Sequence, residues 1–429
     1  MRLHSLPVLL LAAIGLTTGD SQAADLTATQ ALGKLVFFDS TLSINGNQSC
    51  ATCHAPHVGW SGPDSAINAA GAVYPGSIAS RFGDRKPPSS AYATPSPVLH
   101  NQQENPKKDA LFAGGNFWDG RATGERLGSP AAEQAQGPFV NPVEQALPSP
   151  ACVVHRVCNG AYWALFSAVW GAEACNIRWP ADPCAKDAAD SGRGLAPSDA
   201  ARVARSYDAI ALSIAAYEAS PESNAFTSKF DYAKQGKVRL TAEEQKGLSL
   251  FKGKGRCGDC HVLTPADKRG ALFTDFTFDN LGLPRNPASP VYANDAVFVD
   301  RGLGGFLGSR PEYARFAEDG LGKHKVPTLR NVDLRPDPGF VKAFGHNGYF
   351  KSLKGIVHFY NTRDVKPACP TRPDGRGYTE TEALAGSCWP AAEVPRNVNT
   401  EEMGDLKLTD AEENAIVAFM RTLSDGYVP

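Results

Sequence analysis

Two copies of the pattern Cys-x-x-Cys-His constrain this chain more than any other feature of its sequence. They are CATCH at residues 50–54 and CGDCH at residues 257–261. Two thiols about one helical turn apart can both bond to one haem, and the histidine that follows can reach the iron. One copy alone also fits a zinc site or a redox pair, but two copies predict two covalently bound haem c groups. The predicted haem-binding residues are Cys50, Cys53, His54, Cys257, Cys260 and His261.

The first 23 residues are typical of a signal peptide. One arginine precedes an apolar run from Leu6 to Leu16, and small residues lead up to Ala23. The run is shorter than the roughly 20 residues that cross a bilayer, and no later segment is apolar enough to do so. We therefore expect cleavage near Ala23, export to the periplasm and no membrane span.

Helix signals precede both motifs and recur near the end of the chain. Residues 241–251 combine a capping box, formed by Thr241 and Glu244, with apolar residues on one face. Residues 27–39 and 409–423 show similar patterns. The apolar positions expected to face the core are Leu32, Leu35, Val36, Leu248, Phe251, Ile416, Phe419, Met420 and Leu423.

The composition allows two globular domains. The chain has 429 residues and a net charge of −2, with 42% hydrophobic and 21% charged residues. It is long enough for two cores, and its near-neutral charge gives no basis for binding nucleic acid. We predict a mainly α fold with two c-type cytochrome domains, residues 24–236 and 237–429, each carrying one covalent haem. Residues 62–110 and 284–311 are rich in Gly, Pro, Ser and Ala and are expected to be long irregular loops.

Six cysteines lie outside the two motifs, and export predicts that they form disulfides. Cys369 and Cys388 close a C-terminal insertion and are the preferred pair. The other four allow three connectivities, all of which stay open, and free buried thiols are the alternative. These four are Cys152, Cys158, Cys175 and Cys184.

Several stretches resemble the bacterial di-haem cytochrome c peroxidase family and its MauG-like branch. They fall in order across most of the mature chain: LGKLVFFDSTLSINGNQSCATCH, FWDGRA, EQAQGPFVNPVE, VPTLRNV and SLKGIVHFYNTRD. In this family the N-terminal haem reacts with peroxide and the C-terminal haem receives or stores electrons. The resemblance implies that His54 is a ligand of the first iron and His261 a ligand of the second.

The resemblance also implies roles for residues away from the motifs. Splitting a peroxide O–O bond requires a proton to move from the near oxygen to the far one, which a carboxylate can do as general acid and base. Glu144 stands at the family position of this carboxylate, Gln134 matches its amide partner, and Pro138 lies between them. Trp118 matches a tryptophan that relays electrons between the haems. On spacing alone, Glu144 would be a surface carboxylate and Trp118 a core residue.

The chain departs from typical peroxidases in the predicted second ligand of each iron. YPGSIASRFGDRKPPSS contains no histidine where typical members carry the one that caps the first iron, and His57 and His100 lie too near and too far. We therefore expect an open first haem. At the second haem, Tyr360 stands where typical members have methionine, which is the His–Tyr pattern of the MauG-like branch. An anionic phenolate favours ferric and higher iron states. His358 is a rival ligand.

Four other residues near the second haem have expected places. Met403 and Met420 are the methionines of the mature chain; Met420 is expected in the core, and Met403 does not align with the family ligand. His346 matches a family histidine near this haem without binding iron, and His324 is expected to be structural.

Two further departures concern calcium and the surface. The family's calcium site uses an asparagine where this chain has Lys86, after Arg85. A lysine opposes a cation, so bound calcium is doubtful here, although backbone carbonyl ligands could survive. Residues 150–190 and 365–398 have no counterpart in compact peroxidases and are candidates for a partner-docking surface.

Three functions follow from these features. The leading hypothesis is a peroxidase that reduces hydrogen peroxide at the first haem, with electrons from a small redox protein such as a cytochrome c or a cupredoxin. The second is a MauG-like enzyme that oxidises aromatic side chains of a partner protein, which Tyr360 favours. The third is a non-enzymatic electron carrier, in which Glu144 has no role. A homodimer is compatible with all three.

Overall fold

A computed structural model describes residues 25–102, 111–185, 194–263 and 270–429. The predicted signal peptide, residues 1–23, lies outside the described residues. Within them the chain is mainly helical, as predicted. The helices are α1 (Ala28–Phe38), α2 (Ser65–Ala69), α3 (Pro130–Val140), α4 (Pro150–Asn159), α5 (Trp163–Trp170), α6 (Pro197–Glu218), α7 (Lys229–Lys234), α8 (Ala242–Lys252), α9 (Cys257–Cys260), α10 (Pro290–Asn294), α11 (Gly302–Gly308), α12 (Leu353–Thr362), α13 (Glu380–Ala385) and α14 (Asp410–Arg421).

Strands are few and short. Among the described residues, β1 (His100–Asn101) pairs with β2 (Phe112–Ala113), and β3 (Phe278–Asp279) pairs with β4 (His324–Lys325), both antiparallel. No helix in the described ranges is both long and apolar enough to cross a membrane.

The predicted helix starts are confirmed by their caps. Thr241 and Glu244 form a reciprocal capping box at α8, and Thr409 and Glu412 form one at α14. At α1, Leu32 and Val36 are buried as expected, but the prediction for Leu35 is wrong because its side chain is 46% exposed. Leu35 lies one position off the face of α1 that packs on the core.

Two close helix crossings hold the helices that precede the motifs. α1 crosses α6 at Gly33, where a Cβ atom would lie 1.8 Å from the carbonyl oxygen of Ser213. α8 crosses α14 at Gly247, where a Cβ atom would lie 1.9 Å from the carbonyl oxygen of Ala415. Only glycine allows backbones to approach this closely. The two halves of the chain therefore use the same packing device ahead of their CxxCH motifs.

The described residues form two large hydrophobic clusters. The first is built from α1 and α3 to α6, and the second from α7, α8 and α12 to α14. Phe230 of α7 packs on Phe273 and Phe419 of the second cluster, so α7 packs with the C-terminal half although it precedes residue 237. A smaller cluster joins both halves: Leu99, Phe112, Phe278, Leu303 and Leu307.

The segments expected to be irregular are only partly so. The described part of the first segment, residues 62–102, contains α2 and β1. The second segment, residues 284–311, contains α10 and α11. The sequence of α11, GLGGFLG, has weak intrinsic helix propensity, but Leu303 and Leu307 are both buried in the small cluster. Tertiary burial therefore stabilises a helix that local propensity disfavours.

The disulfide prediction is confirmed for Cys369–Cys388. The connectivity left open by the sequence is Cys152–Cys184 and Cys158–Cys175. Both pairs lie within residues 150–185, of which α4 contributes fully buried residues to the first cluster. This segment is thus part of the core as well as of the surface.

Candidate haem sites and the cavity between them

One continuous cavity extends from the first CxxCH motif to the second. Its walls come from both hydrophobic clusters and from the irregular segments between them. The predicted site residues that line it are Cys50, Cys53, His54, Trp118, Gln134, Pro138, Glu144, Cys257, Cys260, His261 and Tyr360. Residues separated by more than 300 positions in the chain therefore face one space.

Both motif histidines are held by a main-chain hydrogen bond at Nδ1. In His54 this nitrogen donates to the carbonyl of Trp60 at 3.3 Å, and in His261 it donates to the carbonyl of Phe273 at 2.9 Å. Such a bond fixes the tautomer and leaves Nε2 as the lone-pair donor. Burial lowers the pKa of His54 to about 4 and also lowers that of His261, so both rings stay neutral, as iron ligands must be.

The motif cysteines lie on short turns that point their thiols into the cavity. Cys50 begins a single 3₁₀ turn and Cys257 begins α9. Burial raises the pKa of Cys53 and Cys257 to about 12, and none of the four thiols is in a disulfide. Paired free thiols next to a neutral imidazole in a mainly apolar space are the donor set that a covalent haem needs, so the residues of both motifs fit the group.

Two buried carboxyl groups lie at the first end of the cavity. Glu144 follows α3, and its Oε2 atom is buried without a hydrogen-bond partner. Burial raises the pKa of Glu144 to about 7, although the nearby Arg121 opposes this shift. Gln134 and Pro138 of α3 line the same space. A carboxyl that is half ionised near neutral pH can both accept and donate a proton.

The second carboxyl is Glu218, at the end of α6, which sequence reasoning missed. Burial raises its pKa to about 8, and it lines the cavity near Cys50. No motif surrounds it, because it is one acidic residue in a long amphipathic helix. Its burial depends on the packing of α6 against α1, α3 and α4.

Trp118 lies between the two ends. Its indole Nε1 donates to the carbonyl of Lys86 at 2.8 Å, and the ammonium group of Lys86 is 5.7 Å from its ring centroid. Burial, with a contribution from Lys351, lowers the pKa of Lys86 to about 8. Lys86 therefore brings a buried cation to the tryptophan, which opposes a calcium ion at this position.

Tyr360 of α12 lines the second end of the cavity. The phenol lies beside the second motif, since burial raises its pKa and the thiols of Cys260 and Cys257 add to this rise. The rival residue His358 is on another face of α12, where Nδ1 contacts Glu413 at 2.9 Å. The side chain of His358 therefore bonds to Glu413 and does not line the cavity.

The two methionines also reach this end. Met403 and Met420 are buried in the second cluster, as expected for Met420, and both line the cavity. The segment that contains Met403 lies next to Tyr360, because the backbone N–H of Gly404 donates to the Tyr360 carbonyl at 2.6 Å. Both methionines therefore belong to the cavity wall.

A buried polar group lies beside Trp118, and sequence reasoning missed one of its members, Asp300. His346 and His324 stack with ring centroids 3.5 Å apart, and Nε2 of His324 lies 3.3 Å from Asp300. Arg85 binds both oxygens of Asp300 at 2.7 Å. His324 and then Arg85 hold the pKa of Asp300 low against the effect of burial. Both histidines line the cavity, and His346 lies 6.5 Å from the Trp118 ring. That His324 is structural stays a prediction.

Comparison with known proteins identifies the family. The family model for di-haem cytochrome c peroxidase matches residues 27–239. The methylamine utilization protein MauG of Paracoccus denitrificans is 33% identical over 416 residues, covering 95% of this chain and 91% of that protein. This chain belongs to the di-haem cytochrome c peroxidase family. Membership of this family implies haem cofactors and makes the chain a haem oxidoreductase.

Other members of the di-haem cytochrome c peroxidase family agree. The cytochrome-c peroxidase IdrP1 of Denitromonas iodatirespirans is 26% identical over 409 residues, covering 92% of this chain and 81% of its own length. The crystal structure of the diheme peroxidase BthA from Burkholderia thailandensis E264 superposes with a TM-score of 0.69 at 29% identity, covering 93% of this chain and 86% of that one. The likeness to MauG and BthA supports the MauG-like branch.

Proposed function

We propose that this chain is a periplasmic peroxidase that reduces hydrogen peroxide at its N-terminal haem. Its two c-type cytochrome domains are residues 24–236 and 237–429, except that α7 packs with the second. One observation carries the proposal: a single cavity joins both CxxCH motifs, with the Glu144 carboxyl, whose Oε2 atom has no hydrogen-bond partner, at one end and the phenol of Tyr360 at the other. A chain that only conducted electrons would not need a buried acid with a pKa near 7.

The residues of the motifs hold the cofactors. Cys50 and Cys53 bind the first haem covalently and His54 is its iron ligand, while the matching residues of the second motif hold the other haem. When bound, the haems supply the redox chemistry that converts hydrogen peroxide, two protons and two electrons into two molecules of water. The carbonyls of Trp60 and Phe273 orient the two imidazoles.

Glu144 moves the proton. As a carboxylate it accepts the proton of the near peroxide oxygen, and as a carboxylic acid it returns that proton to the far oxygen, which leaves as water. Gln134 holds the peroxide through its side-chain amide, and Pro138 excludes water from the same wall. Burial of Glu144 keeps its two protonation states close in free energy at neutral pH.

Trp118 relays electrons from the second haem site to the first, and a small redox protein supplies them. Tyr360 is the second ligand at the C-terminal site and makes it a reservoir for oxidising equivalents. This favours the alternative function, oxidation of aromatic side chains of a partner protein, because a phenolate ligand makes the site a poor acceptor from ordinary cytochromes.

Spectroscopy of the resting haem-loaded protein tests the proposal. EPR and resonance Raman spectra should show one high-spin and one low-spin ferric centre, and Tyr360→Phe should change the low-spin centre alone. Tyr349→Phe is the matched control, because Tyr349 is a buried tyrosine of the second cluster that does not line the cavity. Two low-spin centres in the wild type, or an unaltered spectrum of Tyr360→Phe, would overturn the assignment.

Turnover separates the two enzymatic functions. Rapid peroxide-dependent oxidation of reduced cytochrome c supports the peroxidase. A long-lived oxidised state of the protein with negligible cytochrome oxidation supports the MauG-like alternative. Absence of any reaction with peroxide would contradict both and leave an electron carrier. Equal reactivity with peroxide after Glu144→Gln would show that another group moves the proton.

A further inference from the structure

An aromatic cluster extends from the first haem site to the protein surface. Phe37, Trp60 and Tyr217 are in mutual edge-to-face contact, with ring centroids 5.6 to 5.7 Å apart. Phe38 contacts Phe37 at 5.4 Å and Tyr217 at 6.2 Å, and its side chain is 42% exposed. These four residues are called the α1 aromatic cluster. Trp60 and Tyr217 are its two readily oxidised members.

The inner end of the cluster is bonded to the histidine of the first motif. The carbonyl of Trp60 accepts the Nδ1 hydrogen bond of His54 at 3.3 Å, and Phe37 lines the cavity. One hydrogen bond and a few covalent bonds therefore separate the imidazole from the Trp60 indole. Trp60 and Tyr217 are themselves almost fully buried.

The outer end of the cluster has a proton acceptor. The phenol O–H of Tyr217 donates to Glu222 at 3.1 Å, and Glu222 is paired with Lys34 at 2.7 Å. The side chains of Glu222 and Lys34 are 30% and 43% exposed. Burial and the Glu222 carboxylate raise the pKa of Tyr217, so at neutral pH the phenol keeps its proton until an electron is removed.

We propose that Trp60 and Tyr217 form a second redox route, which carries electrons from the surface beside α1 to the first haem site without passing Trp118. The proposal rests on the proposed function, because hydrogen peroxide supplies the oxidising equivalents. One electron leaves Tyr217 through Trp60, and the phenol proton moves to Glu222, leaving a neutral tyrosyl radical. A soluble one-electron donor then returns an electron and Glu222 returns the proton. Two such cycles reduce one peroxide.

Trp118 and Tyr217 have different surroundings, which suit them to two separate electron-transfer routes. The indole N–H of Trp118 is bonded to a carbonyl, and a lysine cation lies over its ring. A backbone carbonyl cannot take up the proton that an oxidised ring releases, whereas the carboxylate of Glu222, which accepts the Tyr217 hydrogen bond, can. Trp118 thus suits transfer between two internal sites, and Tyr217 suits a radical that is reduced from solution.

Freeze-quenched EPR after mixing the haem-loaded protein with hydrogen peroxide, without reductant, tests the proposal. Protein grown on ring-deuterated tyrosine should show a narrowed organic radical signal, which identifies a tyrosyl radical. Tyr217→Phe, which keeps the ring packing, should lose this signal. Tyr162→Phe should retain it; Tyr162 also donates to a carboxylate, that of Asp39, at 2.7 Å. Trp60→Phe should delay the signal.

Each outcome decides the proposal. Retention of the tyrosyl signal in Tyr217→Phe, or its loss in Tyr162→Phe alone, overturns it. If Tyr217→Phe does not fold, Glu222→Gln replaces it. This variant should reduce the tyrosyl radical signal because the proton acceptor is gone, and an unchanged signal would contradict the proposal. Peroxide consumption without any tyrosyl radical overturns this inference alone. Failure to consume peroxide overturns the proposed function together with it.

Discussion

The two ends of the cavity share a scaffold but differ in the groups that face it. At both ends a CxxCH histidine is oriented by a backbone carbonyl, and the preceding helix is locked by a glycine crossing. At the first end, the Glu144 and Glu218 carboxyls are buried with strongly raised pKa values. At the second end, Asp279 and Glu402 share hydrogen bonds from Asn399.

This difference indicates how one architecture supports two tasks. Burial makes both carboxyls of the first end costly to ionise, so their protonation responds to a reaction that offers or takes a proton. At the second end burial also raises the pKa of Asp279, but the hydrogen bond from Asn399 opposes this rise. With the phenol of Tyr360 added, the second end is suited to hold charge, while the first is suited to proton chemistry.

The largest expected effect comes from removing the acid at the first end. Glu144→Gln should slow the reaction of the haem-loaded protein with hydrogen peroxide by about 10²- to 10⁴-fold, the usual contribution of a general acid and base. Stopped-flow absorbance of the haem bands measures the rate constant. Glu218→Gln is the comparison variant, because it removes a carboxyl of raised pKa from the same end of the cavity. A larger loss in Glu218→Gln would move the proton shuttle to that residue.

The shared scaffold is tested by the next largest effect. Gly33→Ala and Gly247→Ala each force a Cβ atom against a backbone carbonyl and should lower the free energy of unfolding by about 1–3 kcal/mol. Chemical denaturation followed by circular dichroism measures both. Gly308→Ala is the helical control, with its Cβ 3.4 Å from that of Ala317, an ordinary contact distance. If only one of the two crossings is sensitive, the two halves are not equivalent.

Many features of the two ends could be predicted from the sequence, because they depend on residues whose local pattern has one structural meaning. The CxxCH motifs, the capping boxes of α8 and α14 and the Cys369–Cys388 pair are local patterns with a direct structural meaning. Tyr360 and Glu144 came from family motifs, and the cavity holds both. Their chemical roles stay predictions.

The remaining features depend on contacts between distant segments. Burial of Glu218 depends on the packing of α6 against α1, α3 and α4, and α11 is helical only because Leu303 and Leu307 are buried. The pairing of Cys152 with Cys184 depends on how α4 packs, which loop length does not determine. Exposure of Leu35 shows that helical periodicity locates a face only to within one residue.

The smallest effect, the pH dependence of the peroxide reaction, distinguishes the two carboxyls of the first end. The shuttle begins with a carboxylate, so the rate constant should be level above the pKa of Glu144, about 7, and fall about tenfold for each pH unit below it. A pH series of the stopped-flow rate constants measures this profile. The inflection near 7 should vanish in Glu144→Gln and persist in Glu218→Gln. An inflection near 8 that only Glu218→Gln abolishes would instead match the raised pKa of Glu218, and the unpaired Oε2 of Glu144 would then have no part in proton transfer.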